Sequence, residues 1–269
     1  MKTIVITGST RGIGLGLAQA FLARGQAVVV SGRSPASVDQ AVAALQARQP
    51  AAQLLGQPCE VSDLAQVEAL WAAAKQRFGQ VDIWINNAGI AHPPRNIWEL
   101  PKETLDAVVA TNITGSLYGT RVAMRGMLAQ GSGFIYDLHG FGSTGMVRPG
   151  LSVYGLSKYA LAYLTRALSA ETAGGPVKIG ALSPGIVITE LMTRPYDGDP
   201  AGLQRAKRVF NILGDRVETV TPWLADKVLA NTKSGVVINW LTPAKAAGRF
   251  ASARFNNRNL FDDGERGTQ

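Results

Sequence analysis

Tyr154 and Lys158, in the stretch YGLSK, have the i, i+4 spacing that puts two side chains on one face of a helix. A phenol titrates near about 10 and is a poor acid–base at neutral pH, but a neighbouring ammonium favours its anion. So placed, a tyrosine can give a proton to a carbonyl oxygen, or take one from an alcohol in the reverse direction. The pair alone is a common motif. It gains meaning only if other elements set a redox partner beside it.

The N-terminus offers such an element. ITGSTRGIGLGLAQAF (6–21) follows a strand pattern and opens a helix pattern, with Gly8, Gly12 and Gly14 where the backbone must turn tightly. Glycines there let the chain approach a pyrophosphate, and the helix N-terminus adds free N–H groups and a positive dipole end. Thr10, Arg11 and Ile13 complete the expected phosphate loop. At the end of the second strand pattern, VVVSGRS has no carboxylate to accept from a ribose 2′-OH, and it carries Arg33. Arg33, with Arg11 nearby, could grip a 2′-phosphate, so NADP(H) is expected over NAD(H). INNAGI (85–90) closes the fourth strand pattern, and small residues there suit a place where a ring or ribose presses on backbone. Asn87, Ala88 and Gly89 are therefore expected at the cofactor. Asn112, in TNITG, is poor helix chemistry and predicts a polar network, with a satisfied core asparagine as the alternative.

The elements that must position these residues alternate from the start. Apolar, β-branched runs at 2–7, 27–32, 52–58, 81–86, 133–138, 177–183 and 235–240 suit strands buried on both faces of a parallel sheet. Helical periodicity fills 12–24, 35–48, 62–78, 102–129, 153–173, 200–212 and 217–231. Such repetition predicts right-handed crossovers and a doubly wound α/β sheet in one domain. The chain has 269 residues and one cysteine, Cys59, which excludes an intrachain disulfide framework. MKTIVITG runs straight into a strand, and no apolar run reaches the length of a membrane span; a cytoplasmic protein without a signal peptide is expected. The net charge of +8 favours anionic partners, but the Lys and Arg residues are scattered, so nucleic acid is not expected. No metal site is expected either.

The order and spacing of TGSTRGIG, NNAG, Asn112, YGLSK and SPGIVIT (183–189) resemble the short-chain dehydrogenase/reductase family over nearly the whole chain. The resemblance implies a single Rossmann-type domain over 1–269 with a seven-stranded parallel sheet, assembled as a homodimer or homotetramer. It implies Tyr154 as the acid–base, Lys158 lowering its pKa and binding the nicotinamide ribose, and Asn112 holding a relay water. Pro184, Gly185, Val187 and Thr189 would frame the nicotinamide carboxamide. Glu60, followed by Val61, would meet the adenine.

One expected part is missing. Where most members carry a strand motif like NISS, whose serine holds the substrate oxygen, the chain reads DLHG, Asp137 to Gly140. DLHGFGSTG, VYGLSK, LSPGIVITEL, the segments Phe210 to Leu213 and Asn239 to Pro243, and Phe261-Asp262-Asp263 resemble the chlorophyll(ide) b reductases. This narrower resemblance implies NADPH-dependent reduction of a formyl group on a tetrapyrrole. It points to Ser143 as the relocated donor, with Thr144 and His139 as alternatives.

Residues 190–232 form the expected substrate-loop region, where Leu191, Met192, Tyr196 and Phe210, with Met146, could line a pocket or merely pack. The tail, 240–269, mixes Trp240, Leu241, Phe250, Phe255 and Phe261 with Lys245, Arg249, Arg254 and Arg258. It could cover an apolar substrate, lie on an anionic membrane, or dock on another subunit or on the body of the fold. Three functional readings remain open: a reductase of a large apolar carbonyl substrate, an enzyme for small carbonyls or alcohols, and a catalytically silent NADP-binding regulator.

Overall fold

The computed structural model describes residues 1–253 and 258–261. Arg254, Phe255, Asp262 and Asp263, named above, lie outside the described residues. Seven parallel strands form one sheet: β1 (Thr3–Ile6), β2 (Ala27–Gly32), β3 (Leu54–Pro58), β4 (Ile83–Asn86), β5 (Gly133–Leu138), β6 (Val177–Ser183) and, after two short strands, β9 (Val236–Asn239). The short strands β7 (Ile186–Val187) and β8 (Gly214–Asp215) make a separate parallel ladder that the sequence periodicity did not reveal.

The order β3-β2-β1-β4-β5-β6-β9 reverses direction between β1 and β4. That reversal opens a crevice at the carboxyl ends of these two strands, the place where such sheets bind ligands. The strands alternate their side chains between two cores. Ile4 and Ile6 pack with Leu17, Phe21 and Leu224 on one face, and Val5 packs with Leu70, Trp84 and Met127 on the other. Burying each such side chain is worth about 1.5–3 kcal/mol, so the sheet is a rigid base for its loops.

The helices follow the periodicity closely at α1 (Gly12–Leu22), α2 (Pro35–Arg48) and α3 (Leu64–Phe78). Asp63 caps α3 by accepting from the Ala65 and Gln66 amides. The predicted long helix over 102–129 is three pieces: α4 (Lys102–Val108), a widened π-helical segment Val109–Thr114, and α5 (Gly115–Gln130). The wide turn carries Asn112, fully buried, whose side chain leaves its own helix to bond Ile90. Turns of this kind gather at functional sites because one extra residue re-aims a side chain. Then come α6 (Ser152–Glu171), the short α7 (Glu190–Thr193), α8 (Pro200–Leu213), α9 (Val217–Ala230) and α10 (Pro243–Ser252).

The last helix was not foreseen, although TPAK holds its start signal. Thr242 Oγ1 accepts from the Lys245 amide at 3.2 Å, with Pro243 at the first helical position. The tail folds back on its own body. Trp240 Nε1, Arg249 and Arg258 all donate to the buried Asp215 carboxylate, at 2.6, 2.9 and 2.9 Å. Phe261 sits 6.3 Å from Phe210, and the Leu260 amide donates to Asn211. Of the tail alternatives, docking on the body of the fold is the arrangement of the described residues.

Candidate active site

At the crevice, Gly8 has φ +61, and a Cβ there would stand 2.8 Å from the Ala88 Cα; only glycine fits this approach of loop to loop. A Cβ at Gly14 would lie 2.5 Å from Asn87 Nδ2. Asn87 is the staple between the strands. Its Nδ2 donates to the Thr7 and Gly8 carbonyls at 2.8 and 2.9 Å, while Thr7 Oγ1 accepts from the Asn87 and Ala88 amides. The first turn of α1 has no side-chain cap and no acidic residue. As the first N–H groups of the helix, those of Gly12, Ile13 and Gly14 have no intrahelical acceptor, which is the chemistry that takes phosphate oxygens. Thr189 closes the far side, with its Cγ2 3.4 Å from where a Cβ at Gly12 would stand. A dinucleotide fits this cradle.

At the adenosine end, Thr10 packs over Gly32, and Arg33 is 71% exposed with its Nε 3.9 Å from Glu60. Glu60 also accepts from the Ser62 amide and hydroxyl, and Val61 packs against Gly115. Arg11 behaves differently from the expectation that paired it with Arg33. Its guanidinium bonds Glu190, at the start of α7, at 2.9 Å.

The catalytic candidates converge on the same crevice. Asn112 Oδ1 accepts from the Ile90 amide at 2.8 Å, and its Nδ2 donates to the Ile90 carbonyl and to Ser157 Oγ, each at 3.0 Å. The predicted polar network around Asn112 is present, and it locks the loop after β4 to α6. Gly89 lies over both Asn112 Oδ1 and Lys158 Nζ, at 3.4 and 3.7 Å from its would-be Cβ. Lys158 is buried and donates to the Leu138 carbonyl at 2.9 Å. Its ammonium is 5.9 Å from the centre of the Tyr154 ring. Burial pulls Lys158 down to about 8, against the opposing attraction of Asp137.

Tyr154 departs from the expectation of a lowered phenol. Burial alone pushes it up to about 12, so in this arrangement it holds its proton at neutral pH. Its hydroxyl points at Gly140, 2.7 Å from where a Cβ there would be. A serine at 140 would therefore collide with the tyrosine it is meant to assist. The GFGSTG loop bends away at this point, with the Ser143 amide donating to the Gly140 carbonyl at 3.1 Å. Ser143 is half-buried with its hydroxyl unengaged among the described residues, Thr144 is exposed, and His139 is buried with Nε2 3.3 Å from Thr165.

Pro184, Gly185 and Val187 follow β6, where Leu241 from the tail presses on Gly185 and Val187 pairs with Asp215. Of the pocket candidates, Phe210 is buried and packs edge-on with Tyr196, while Met146 is exposed. Sequence reading missed His92. It is buried, and its Nε2 accepts from the Tyr154 amide at 3.3 Å while Nδ1 lies 2.8 Å from the Pro93 carbonyl. It caps the helix that carries the tyrosine. Only its rarity marked it, as one of two histidines in the chain.

The family model for short chain dehydrogenases matches residues 2–199. A probable chloroplastic chlorophyll(ide) b reductase of Oryza sativa subsp. japonica is 34% identical over 278 residues, covering 97% of this chain and 54% of that protein. A chloroplastic chlorophyll(ide) b reductase of Arabidopsis thaliana is 36% identical over 252 residues, 90% of this chain and 71% of that protein. The chain thus spans about half the length of the first of these relatives. Among solved structures, 3-ketoacyl-(acyl-carrier-protein) reductase from Brucella melitensis with NADH superposes with a TM-score of 0.75 at 26% identity, covering 89% of this chain and 96% of that one. A variant of actinorhodin polyketide ketoreductase with NADPH gives 0.79 at 26% identity, covering 91% and 97%. By its family match, its parallel sheet and its nucleotide cradle, the chain belongs to the short-chain dehydrogenase family.

Proposed function

We propose that this protein is an NADPH-dependent carbonyl reductase for a large, apolar-faced substrate, with a formyl-bearing tetrapyrrole as the leading class. The observation that carries the reading is the half-buried Tyr154 phenol, protonated at neutral pH, with the Lys158 ammonium 5.9 Å from its ring and Asn112 tied to the same helical turn through Ser157. A bound nicotinamide supplies the hydride. Tyr154 gives its proton to the oxygen that becomes the alcohol, and Lys158 and Asn112 hold the groups that return one to it. Ser143 orients the oxygen from the loop that leaves Gly140. An intact Tyr154, Lys158 and Asn112 favour this over a silent regulator.

NADPH is supported by Arg33 at the end of β2 and by the lack of a carboxylate from Val28 to Ser34. The large substrate is supported by the rim of the site. Val147 is 91% and Trp98 80% exposed, with Met146 and Ile97 beside them in sequence. Their two loops touch where Gly150 meets Pro94. The names of the two plant relatives add the tetrapyrrole. Assembly as a homodimer or homotetramer is supported by Leu156, Tyr159 and Tyr163, left exposed on α6, and by Leu117 and Leu128 on α5. Cys59, a buried free thiol, suits a reducing cytoplasm, whereas both relatives are chloroplastic. No helix among the described residues is long and apolar enough to cross a membrane. With Arg249 and Arg258 bound to Asp215 and Lys245 held 3.2 Å over the Trp240 ring, membrane contact through the described tail falls to Phe250.

The test is NADPH oxidation against a panel running from small ketones to formylated chlorins. Turnover of the large formyl substrates, lost by about 10²- to 10⁴-fold in Tyr154→Phe, is expected. Turnover of small ketones alone would replace the substrate class, and full activity in Tyr154→Phe would remove the acid–base assignment.

A further inference from the structure

Beneath Lys158 lies a set of buried polar groups that the proton-transfer residues do not account for. Asp137, 1% exposed, sits in β5 opposite Asn86 of β4. Its Oδ1 accepts from Asn86 Nδ2 at 2.9 Å, and its Oδ2 accepts from Thr165 Oγ1 at 3.1 Å. Asn86 is held in turn, since its Oδ1 accepts from Trp84 Nε1 at 2.7 Å and its Nδ2 also reaches Thr120. Thr165 lies two turns beyond Lys158 on α6, so both project from the same side of the helix.

The direct partner of the ammonium is the neutral carbonyl of Leu138, the residue between Asp137 and His139. A buried ammonium facing only a neutral acceptor is costly, so its charge depends on what else surrounds it. Three titratable groups face it. Tyr154, on its own helix, is neutral, and His139, just past β5, is held neutral by a pKa that burial and the nearby ammonium bring down to about 4. That leaves Asp137, which burial pushes up to about 6 while Asn86, Thr165 and Lys158 pull it back; it is ionised at neutral pH.

We propose that Asp137 is a positioning residue for the proton-transfer site, the buried counter-ion that keeps the Lys158 ammonium charged and in place beneath Tyr154. The two charges are placed by geometry without a direct ion pair: Lys158 bonds the carbonyl of Leu138, next in β5 to Asp137, and Thr165 on the same side of α6 bonds the Asp137 carboxylate, all four residues being buried. The value to catalysis rests on the reductase reading above. Asn86 and Thr165 then act as the holders of that carboxylate rather than as packing alone. The DLHG motif thus carries a charge where the usual NISS motif carries none.

The experiment is a pH titration of Lys158 in the full chain labelled with [13Cε]lysine, its resonance identified by its loss in Lys158→Arg. In Asp137→Asn, which keeps the shape and removes the charge, the midpoint is expected to fall by about one pH unit or more, a tenfold change in the protonation equilibrium. The alkaline limb of kcat/KM should move by the same amount. An unmoved midpoint in folded Asp137→Asn overturns the proposal. If that variant does not fold, Thr165→Val, which loosens the carboxylate, should lower the midpoint by less, and no change there overturns it equally. A moved midpoint in a protein without carbonyl turnover keeps the counter-ion and removes the reductase reading, whereas an active enzyme with an unmoved midpoint does the reverse.

Discussion

The Tyr154 hydroxyl stands 2.7 Å from the place a Cβ would occupy at Gly140. Position 140, two residues past β5, has no room for a serine side chain while the phenol uses the space. Gly140→Ser, which restores the usual motif on paper, is therefore expected to displace Tyr154 and lower kcat/KM by about 10²-fold, since a shift of about 1 Å is enough for that. NADPH should still raise the melting temperature. A Gly140→Ser enzyme as active as the parent would show that the hydroxyl does not work from this position.

Ser143→Ala addresses the other half of the same question. If Ser143 orients the substrate oxygen, its loss should slow turnover by about tenfold or more, the cost of one hydrogen bond to the reacting group. Unchanged kinetics would transfer the role to Thr144, since the His139 ring is buried against Thr165.

The pH dependence has a defined sign. Lys158 is charged below about 8 and Tyr154 is protonated below about 12, so both are in the form that reduction needs on the acid side of 8. The kcat/KM for reduction should fall above pH 8, by about tenfold per unit once the limb is reached. A profile flat to pH 10 would disconnect the Lys158 charge from the reaction.

Arg33 is exposed and weakly engaged by Glu60 at 3.9 Å, which leaves it free to meet a phosphate. Arg33→Ala should weaken NADPH about tenfold, or roughly 1.4 kcal/mol, and leave NADH almost unchanged. Calorimetric titration with both nucleotides measures this. Equal losses for the two would mean that Arg33 does not read the 2′-phosphate.

Asp215 joins three tail donors to the ladder beside Pro184–Thr189. Asp215→Ala leaves Arg249 and Arg258 without their carboxylate and is expected to cost about 3 kcal/mol of unfolding free energy. Limited proteolysis should then cut the tail first. A variant as stable and as resistant as the parent would mean that the tail is held by Phe261 on Phe210 and not by the charges.

Much of the scaffold was legible because it is written in local repeats. The run PASVDQAVAALQAR predicted α2 over 35–48, its observed span, and AVVVSG predicted β2 over 27–32. The same reading failed at 102–129, where Asn112 leaves the helical ladder for a backbone 22 residues away. It also passed over β7, β8 and α10. Two-residue strands have no periodicity, and the charged, aromatic tail left substrate cover, membrane contact and docking on a subunit or on the body open until Arg249 and Arg258 turned inward to Asp215.

The sequence by itself determined the alternating α/β plan, the glycine loop at 8–14 and the Tyr154–Lys158 pair. Each is encoded by spacing along a single element, where strand, turn and helix geometry leave few alternatives. The tertiary structure alone decided that Gly140 yields its space to a phenol, that Asp137 lies beneath Lys158, and that the tail closes on Asp215. Those relationships join residues from different elements, and only the packing of β5 against α6, and of α10 against α8, sets the distances and burial from which their chemistry follows.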